Sequence, residues 1–265
     1  MQIVQKYMTK SKCYKANQKM TPKGLVLHSV ACPQPSAEVF QKLYNASIDL
    51  SMHGFIDAEK EGYVIETLPQ NINGWHVGGS ANKTHLGFEM CEPKQLVYNK
   101  NGSAFTVADK DLPAAQKACK IAYNTAVEYF AYLCKKYGFN PLKSGVIISH
   151  NEAGKQGIGS CHIDPEHLWK GLKMPYTMDG FRKDVSEAMY DKKSQIYRVQ
   201  IGAFKSKVNA DAYVVLAKAK GFNAIRFYDN GIYRVQVGAF KSQANATAYK
   251  KDLVKAGFKN AFVEP

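Results

Sequence analysis

The chain has 265 residues, 45% of them hydrophobic, with 36 Lys and Arg against 22 Asp and Glu and a formal net charge of +14. That length suits one medium and one small domain. No stretch reaches the roughly 18 to 20 uncharged apolar residues of a membrane-spanning helix, the nearest candidate, 114–133, being interrupted by lysine. The charge asks for an anionic partner, whether nucleic acid, a membrane surface or a phosphate-bearing wall, and does not choose among them.

In chain order, the first eight residues show neither a basic start with an apolar core nor a small-residue cleavage site, so no secretory signal is expected. Gly24 to Leu27 is a short apolar run that predicts a buried strand, and it ends in His28. Asp111 to Tyr137 carries the 3.6-residue periodicity of a long amphipathic helix. Gly145 to Ile148 predicts a second buried strand, followed at once by Ser149 and His150. A helix over 179–190 closes the first domain, and the polar stretch 191–195 reads as a link, giving domains at 1–191 and 196–265 with 192–195 between them. Mixed strands and helices make the first domain α/β or α+β. The six cysteines lack CxxC pairs or framework spacing, which fits folding in a reducing compartment, most of them serving as small buried apolar residues.

The C-terminal region repeats itself. Tyr197-Arg-Val-Gln-Ile-Gly-Ala-Phe-Lys-Ser returns 36 residues later as Tyr233-Arg-Val-Gln-Val-Gly-Ala-Phe-Lys-Ser. Tyr197, Val199 and Ile201 alternate with Arg198 and Gln200, as Tyr233, Val235 and Val237 do with Arg234 and Gln236, which predicts half-buried strands. Each copy continues into a helix opened by Ser206 or Ser242 and closed by Gly221 or Gly257, then a strand near 224–228 or 261–263. With Asp229-Asn230-Gly231 as the turn between copies, the unit reads as a ferredoxin-like βαββαβ domain.

Chemistry is concentrated in the first domain. Two strands end in histidine, Leu25-Val-Leu-His28 and Val146-Ile-Ile-Ser-His150, and a polar cluster follows as Cys161-His-Ile-Asp164-Pro-Glu-His167. A hydrolytic zinc site needs three fixed protein ligands and one open position, and strand ends fix ligands well. The spacing is too long for a zinc finger, and HExxH is absent. These motifs, with Ser51-Met-His53-Gly-Phe-Ile-Asp57, Gly74-Trp-His76-Val-Gly78 and His85-Leu-Gly87-Phe-Glu89, resemble those of the N-acetylmuramoyl-L-alanine amidases related to phage lysozyme-type amidases and peptidoglycan recognition proteins, over about residues 20 to 190.

The resemblance implies a central mixed sheet flanked by helices, with one zinc ion held by His28, His150 and Asp164. It implies hydrolysis of the amide joining muramic acid to L-alanine, with Glu89 as general acid and base and His162 beside the developing oxyanion. It also implies substrate contacts from His53, Trp75 and His76, although each of these also suits a buried structural role. His85 and His167 are expected to be structural. The sequence departs from some relatives in having Met52 where a tyrosine stands near the metal. Some relatives use cysteine as the third ligand, but motif matching places Asp164, not Cys161, there.

The C-terminal copies resemble a SPOR domain, which implies binding to glycan strands of peptidoglycan. That span holds 12 Lys and Arg against 4 Asp and Glu. RNA-binding domains share the topology, but Asn230-Gly-Ile-Tyr-Arg-Val-Gln-Val does not carry their order of glycines and aromatics, so nucleic acid is not expected as a partner. Peptidoglycan is the expected partner, without membrane insertion, and the oligomeric state stays open. The reading is of an enzyme made in the cytoplasm that acts on the wall after phage or mother-cell lysis. A non-catalytic receptor on the same fold is the alternative; such receptors lose zinc ligands, which this chain retains.

Overall fold

A computed structural model of the chain describes residues 1–46, 49–100, 102, 104–189, 197–240 and 243–264. The chain divides into two compact units, Met1–Tyr190 and Asp191–Pro265. The link expected at 191–195, and the domain limits set within it, fall outside the described residues.

In the first unit β1 (Gln2–Gln5), α1 (Lys12–Ala16), β2 (Gly24–Ser29), α2 (Ala37–Tyr44), β3 (Gly54–Ile56) and β4 (Tyr63–Glu66) come first. They are followed by β5 (His85–Met90), β6 (Val97–Tyr98), β7 (Phe105–Thr106), α3 (Leu112–Tyr137), β8 (Ile147–Ser149), α4 (His150–Lys155), α5 (Glu166–Gly171) and α6 (Met178–Met189). Six strands form one sheet in the order β1-β4-β3-β5-β2-β8, parallel at every pairing except β3 with β4. Strands β2 and β5 are buried at every position, as parallel strands covered on both faces must be.

Alternation along these strands separates the two faces. Leu25 and Leu27 of β2, and Leu86, Phe88 and Met90 of β5, enter the large core with α3 and α6. Val26 joins Val77, Ala81, Ile148 and Ala153 in a smaller cluster on the other face. His28 and Glu89 share that second face and are paired across β2 and β5. One face therefore supplies apolar burial, and the other is free for polar side chains.

The long helix has a physical cause at each end. Asp111 precedes it, Pro113 lies in its first turn, and Gly138 at φ 68° ends it in the left-handed conformation that only glycine adopts without strain. Its buried stripe, Ala115, Cys119, Ala122, Ala126, Phe130 and Leu133, recurs every three or four residues against the sheet and α6. Cys13, Cys91, Cys119 and Cys134 are buried, Cys32 is partly so and Cys161 is exposed, all as free thiols.

The second unit runs β9 (Tyr197–Phe204), α7 (Lys207–Ala219), β10 (Ile225–Asp229), β11 (Ile232–Phe240), α8 (Gln243–Lys255) and β12 (Phe262–Glu264). Its antiparallel sheet has the order β10-β11-β9-β12, the βαββαβ arrangement expected from the repeat. Asn230 and Gly231 both have positive φ, 47° and 83°, and make the two-residue turn between β10 and β11. Ser206 caps α7 through the backbone N–H of Asn209; Ser242 lies outside the described residues. Val199, Ile201, Val235 and Val237 are buried as the alternation requires. Gln200 departs from the expected polar side, because β12 pairs along β9 and makes it an interior strand; Gln200 is fully buried and donates to the Glu264 carboxylate.

Phe88 has no exposed surface and meets Tyr129 edge-on at 4.9 Å and Phe130 at 5.9 Å. Phe88→Ala is expected to cost about 3–5 kcal/mol through lost burial and a residual cavity. Denaturant unfolding followed by tryptophan fluorescence measures this cleanly, since both tryptophans, Trp75 and Trp169, lie in the first unit.

Candidate metal centre

His28 is the penultimate residue of β2, a strand that cannot shift without breaking two parallel pairings, so its ring direction is set by the sheet. His150 opens α4, a short helix whose start is fixed by a capping box. The Ser149 hydroxyl accepts from the Glu152 N–H, and the Glu152 carboxylate accepts from the Ser149 N–H. Arg182 on α6 holds Glu152 with two hydrogen bonds of 2.9 and 3.0 Å and also donates to the Ile147 carbonyl. Asp164 lies in the loop before α5, at a cis peptide to Pro165. Its carbonyl accepts from Asn151, and Glu166 beyond it accepts from Ser149 and Asn151, which ties this loop to α4.

These three segments bring one ligand atom each from His28, His150 and Asp164 within 4.8 Å of one another, with all three residues buried. His28 Nδ1 lies 3.1 Å from one Asp164 oxygen and His150 Nδ1 lies 3.4 Å from the other. The ion pairs of Asp164 among the described residues are all with histidines, the third being His162 at 3.7 Å. Burial depresses the His28 pKa against the pull of Asp164, so that ring resists becoming the cation a buried carboxylate needs. Two imidazoles and a carboxylate, with no Lys or Arg among the described residues ion-paired to Asp164, form a donor set suited to a divalent ion such as zinc.

Glu89 sits beside His28 on the next strand and is 8% exposed. One of its carboxyl oxygens is buried without a hydrogen-bond partner. Burial, reinforced by Asp164 and Glu92, pushes its pKa well above the usual carboxylate range. His162 is exposed, its ring stacked on that of His150 at 4.2 Å. A cleft of about 390 Å³ opens at Asp164, lined by Ala31, Cys161, His162, Ile163, Asp164 and His167 among others. Cys161 lies on this lining, outside the three-residue ligand group.

The three residues expected to contact substrate lie outside the cleft lining. His53 is fully buried; its Nε2–H donates to the Ile72 carbonyl and its Nδ1 accepts from the Gly87 N–H, leaving no ring nitrogen for a ligand. His76 is buried too, between His28 Nε2 at 2.9 Å and the His85 carbonyl at 3.1 Å. Trp75 packs on Cys13, Leu68 and Ile72 in a satellite cluster instead of lining the cleft. His85 bridges Thr84 and the Gly145 carbonyl, a structural role as expected. His167 reaches the cleft and contacts the Tyr98 hydroxyl at 3.1 Å.

Sequence reasoning passed over Ser160 and Glu92. Ser160 contacts His150 Nε2 at 3.0 Å, and nothing in its surroundings in the sequence marks it. Glu92 is wholly buried, accepts from Tyr98 and from the Ala31 N–H beside the cleft, and is pushed by burial to a pKa of about 7. A third carboxylate three residues beyond Glu89 was its available signal.

The chain matches the N-acetylmuramoyl-L-alanine amidase family over residues 18–167 and the SPOR domain over 193–264. It is 26% identical over 142 residues to the N-acetylmuramoyl-L-alanine amidase CwlA of Bacillus subtilis (strain 168), covering 52% of this chain but only 44% of that protein's length. The crystal structure of Staphylococcus aureus hydrolase AmiA in complex with its ligand is similar in fold, with a TM-score of 0.53 and 19% identity over 72% of this chain and 85% of that one. The solution structure of the peptidoglycan binding domain of the B. subtilis cell wall lytic enzyme CwlC is 48% identical over 26% of this chain and 86% of its own, with a TM-score of 0.25.

Burial lowers the His53 pKa to about 4, below the ordinary 6.5. The unfolded chain therefore takes up this proton first as the pH falls, and the native state loses about 3 kcal/mol between pH 6.5 and 4. Unfolding free energies of the metal-free protein across that window should fall steadily with acidification, and less steeply in His53→Gln.

Proposed function

Because the chain belongs to the N-acetylmuramoyl-L-alanine amidase family, we propose that it hydrolyses the amide between N-acetylmuramic acid and the L-alanine of the stem peptide in bacterial peptidoglycan. The observation that carries this reading is the convergence of His28, His150 and Asp164, the last of them on the lining of a cleft, with Glu89 paired to His28 on the same sheet face. These three residues would hold a single zinc ion. When bound there, zinc supplies Lewis acidity toward the scissile carbonyl and the attacking water.

The remaining work falls to side chains. Glu89, a buried carboxylate with a free oxygen, takes a proton from the water as its oxygen adds to the carbonyl carbon. The same carboxyl returns the proton to the alanine nitrogen as the C–N bond breaks, and the lactyl carboxylic acid so formed gives its remaining proton to solvent or to the released amine. His162, exposed on the cleft and held parallel to His150, can donate a hydrogen bond to the carbonyl oxygen as negative charge develops. Glu152, tied to Arg182, and the capping box keep His150 from moving with its solvent-facing neighbour.

The second unit holds the enzyme on the wall. Its match to the SPOR domain and its basic balance fit a glycan strand carrying anionic decorations. Attachment raises the local concentration of the catalytic unit over its substrate without taking part in the reaction. Among the described residues no helix is long and apolar enough to cross a membrane.

Mass spectrometry of purified peptidoglycan tests this directly. The zinc-loaded protein should release stem peptides with a free N-terminal L-alanine, and a chelator should stop it. Glu89→Gln should lower the rate by about 10²–10⁴-fold while zinc content stays unchanged. Intact linkages in every digest, with the protein still bound to the wall, would make this a recognition protein. Deleting residues 196–265 should reduce activity on intact walls far more than on soluble muropeptides, and equal losses on both would remove the attachment role.

A further inference from the structure

We infer that the dipeptide His76-Val77 is the positioning element that fixes His28 and His150 as Nε2–H tautomers, so that their Nδ1 lone pairs face Asp164 and would be free to hold an ion there. The inference rests on the proposed metal site, and its evidence is the direction of a hydrogen-bond chain. A carbonyl oxygen can only accept, so His76 Nε2, 3.1 Å from the His85 carbonyl, carries that ring's hydrogen. His76 Nδ1 is then an acceptor, and His28 Nε2 at 2.9 Å must donate to it. His28 Nδ1 is left with a lone pair, directed at Asp164.

The second ligand is set by the neighbouring residue. The Val77 carbonyl accepts from the Ser160 N–H at 2.8 Å and from its hydroxyl at 3.2 Å. With its one hydrogen so used, the hydroxyl oxygen accepts from His150 Nε2 at 3.0 Å. His150 Nδ1 is therefore also unprotonated, 3.4 Å from the other Asp164 oxygen. Two imidazole lone pairs face a carboxylate with no proton between them. That arrangement is repulsive alone and favourable around a cation.

The dipeptide is itself clamped. The Asn82 side-chain oxygen accepts from both the His76 and Val77 N–H groups, at 3.0 and 2.9 Å. Gly87 on β5 lets the His76 ring lie against the strand, since a Cβ there would stand 2.2 Å from His76 Nδ1. His76 is thus a buried support that acts through His28.

The test is made without substrate. In the metal-free protein at pH 8, nitrogen-resolved NMR of the imidazoles should find His28 and His150 protonated at Nε2 and bare at Nδ1. Zinc affinity, read by competition with a chromophoric chelator, should fall about 10–100-fold in His76→Leu and in Ser160→Ala. His76→Asn, whose amide oxygen can replace Nδ1 as acceptor, should recover most of the loss. Tryptophan fluorescence reports whether each variant folds, and Ser160→Ala decides the matter if His76→Leu does not. Wild-type His28 protonated at Nδ1, or unchanged zinc affinity in a folded variant, overturns the inference. Failure of the hydrolase reading would leave these results untouched, and their failure would leave wall hydrolysis untouched.

Discussion

A buried carboxylate whose ion pairs among the described residues are all with imidazoles is the constraint on which the first unit is arranged. Asp164 is 6% exposed, and taking such a charge out of water costs several kcal/mol unless positive charge replaces the solvent. Each element nearby contributes to meeting that demand. Strand β2 delivers one imidazole, the capped start of α4 delivers another, and hydrogen bonds from α4 fix the loop that carries the carboxylate. The apolar side of the sheet makes this tolerable, because packing against α3 and α6 provides stability that the polar side does not have to supply.

Much of this was legible in the sequence wherever a regular period or a chain boundary signalled it. The run before His28, the helix ending at Gly138 and the 36-residue repeat carry their structure in local patterns, and each stands close to where the pattern puts it. His28, His150 and Asp164 were found through the company of their motifs; spacing alone could not bring together residues separated by 136 positions. His53, His76 and Trp75 show where that reasoning stops. A neutral histidine offers one donor and one acceptor, and sequence does not say whether a substrate or the protein's own backbone will use them. Here the backbone and another histidine do.

The second unit shows a related limit. Its duplicated sequence gives near-identical strands, yet β9 and β11 have different neighbours: β9 lies between β11 and β12, and β11 between β10 and β9. Gln200 and Gln236 occupy equivalent places in the repeat and pair with each other, but only Gln200 is fully enclosed. Equal sequences thus acquire unequal environments from their position in the sheet, which a repeat read along the chain cannot reveal.

The opposed faces of β2 and β5 also limit how this molecule can change over evolutionary time. Side chains reverse direction at each residue, so a single inserted or deleted residue in β2 would turn His28 into the helix-packed core and bring Leu27 to the cleft. The same event would bury an unpaired imidazole and expose an apolar side chain, removing folding and chemistry in one step. Substitutions can therefore tune this sheet gradually, whereas changes of length must be absorbed by the loops around it.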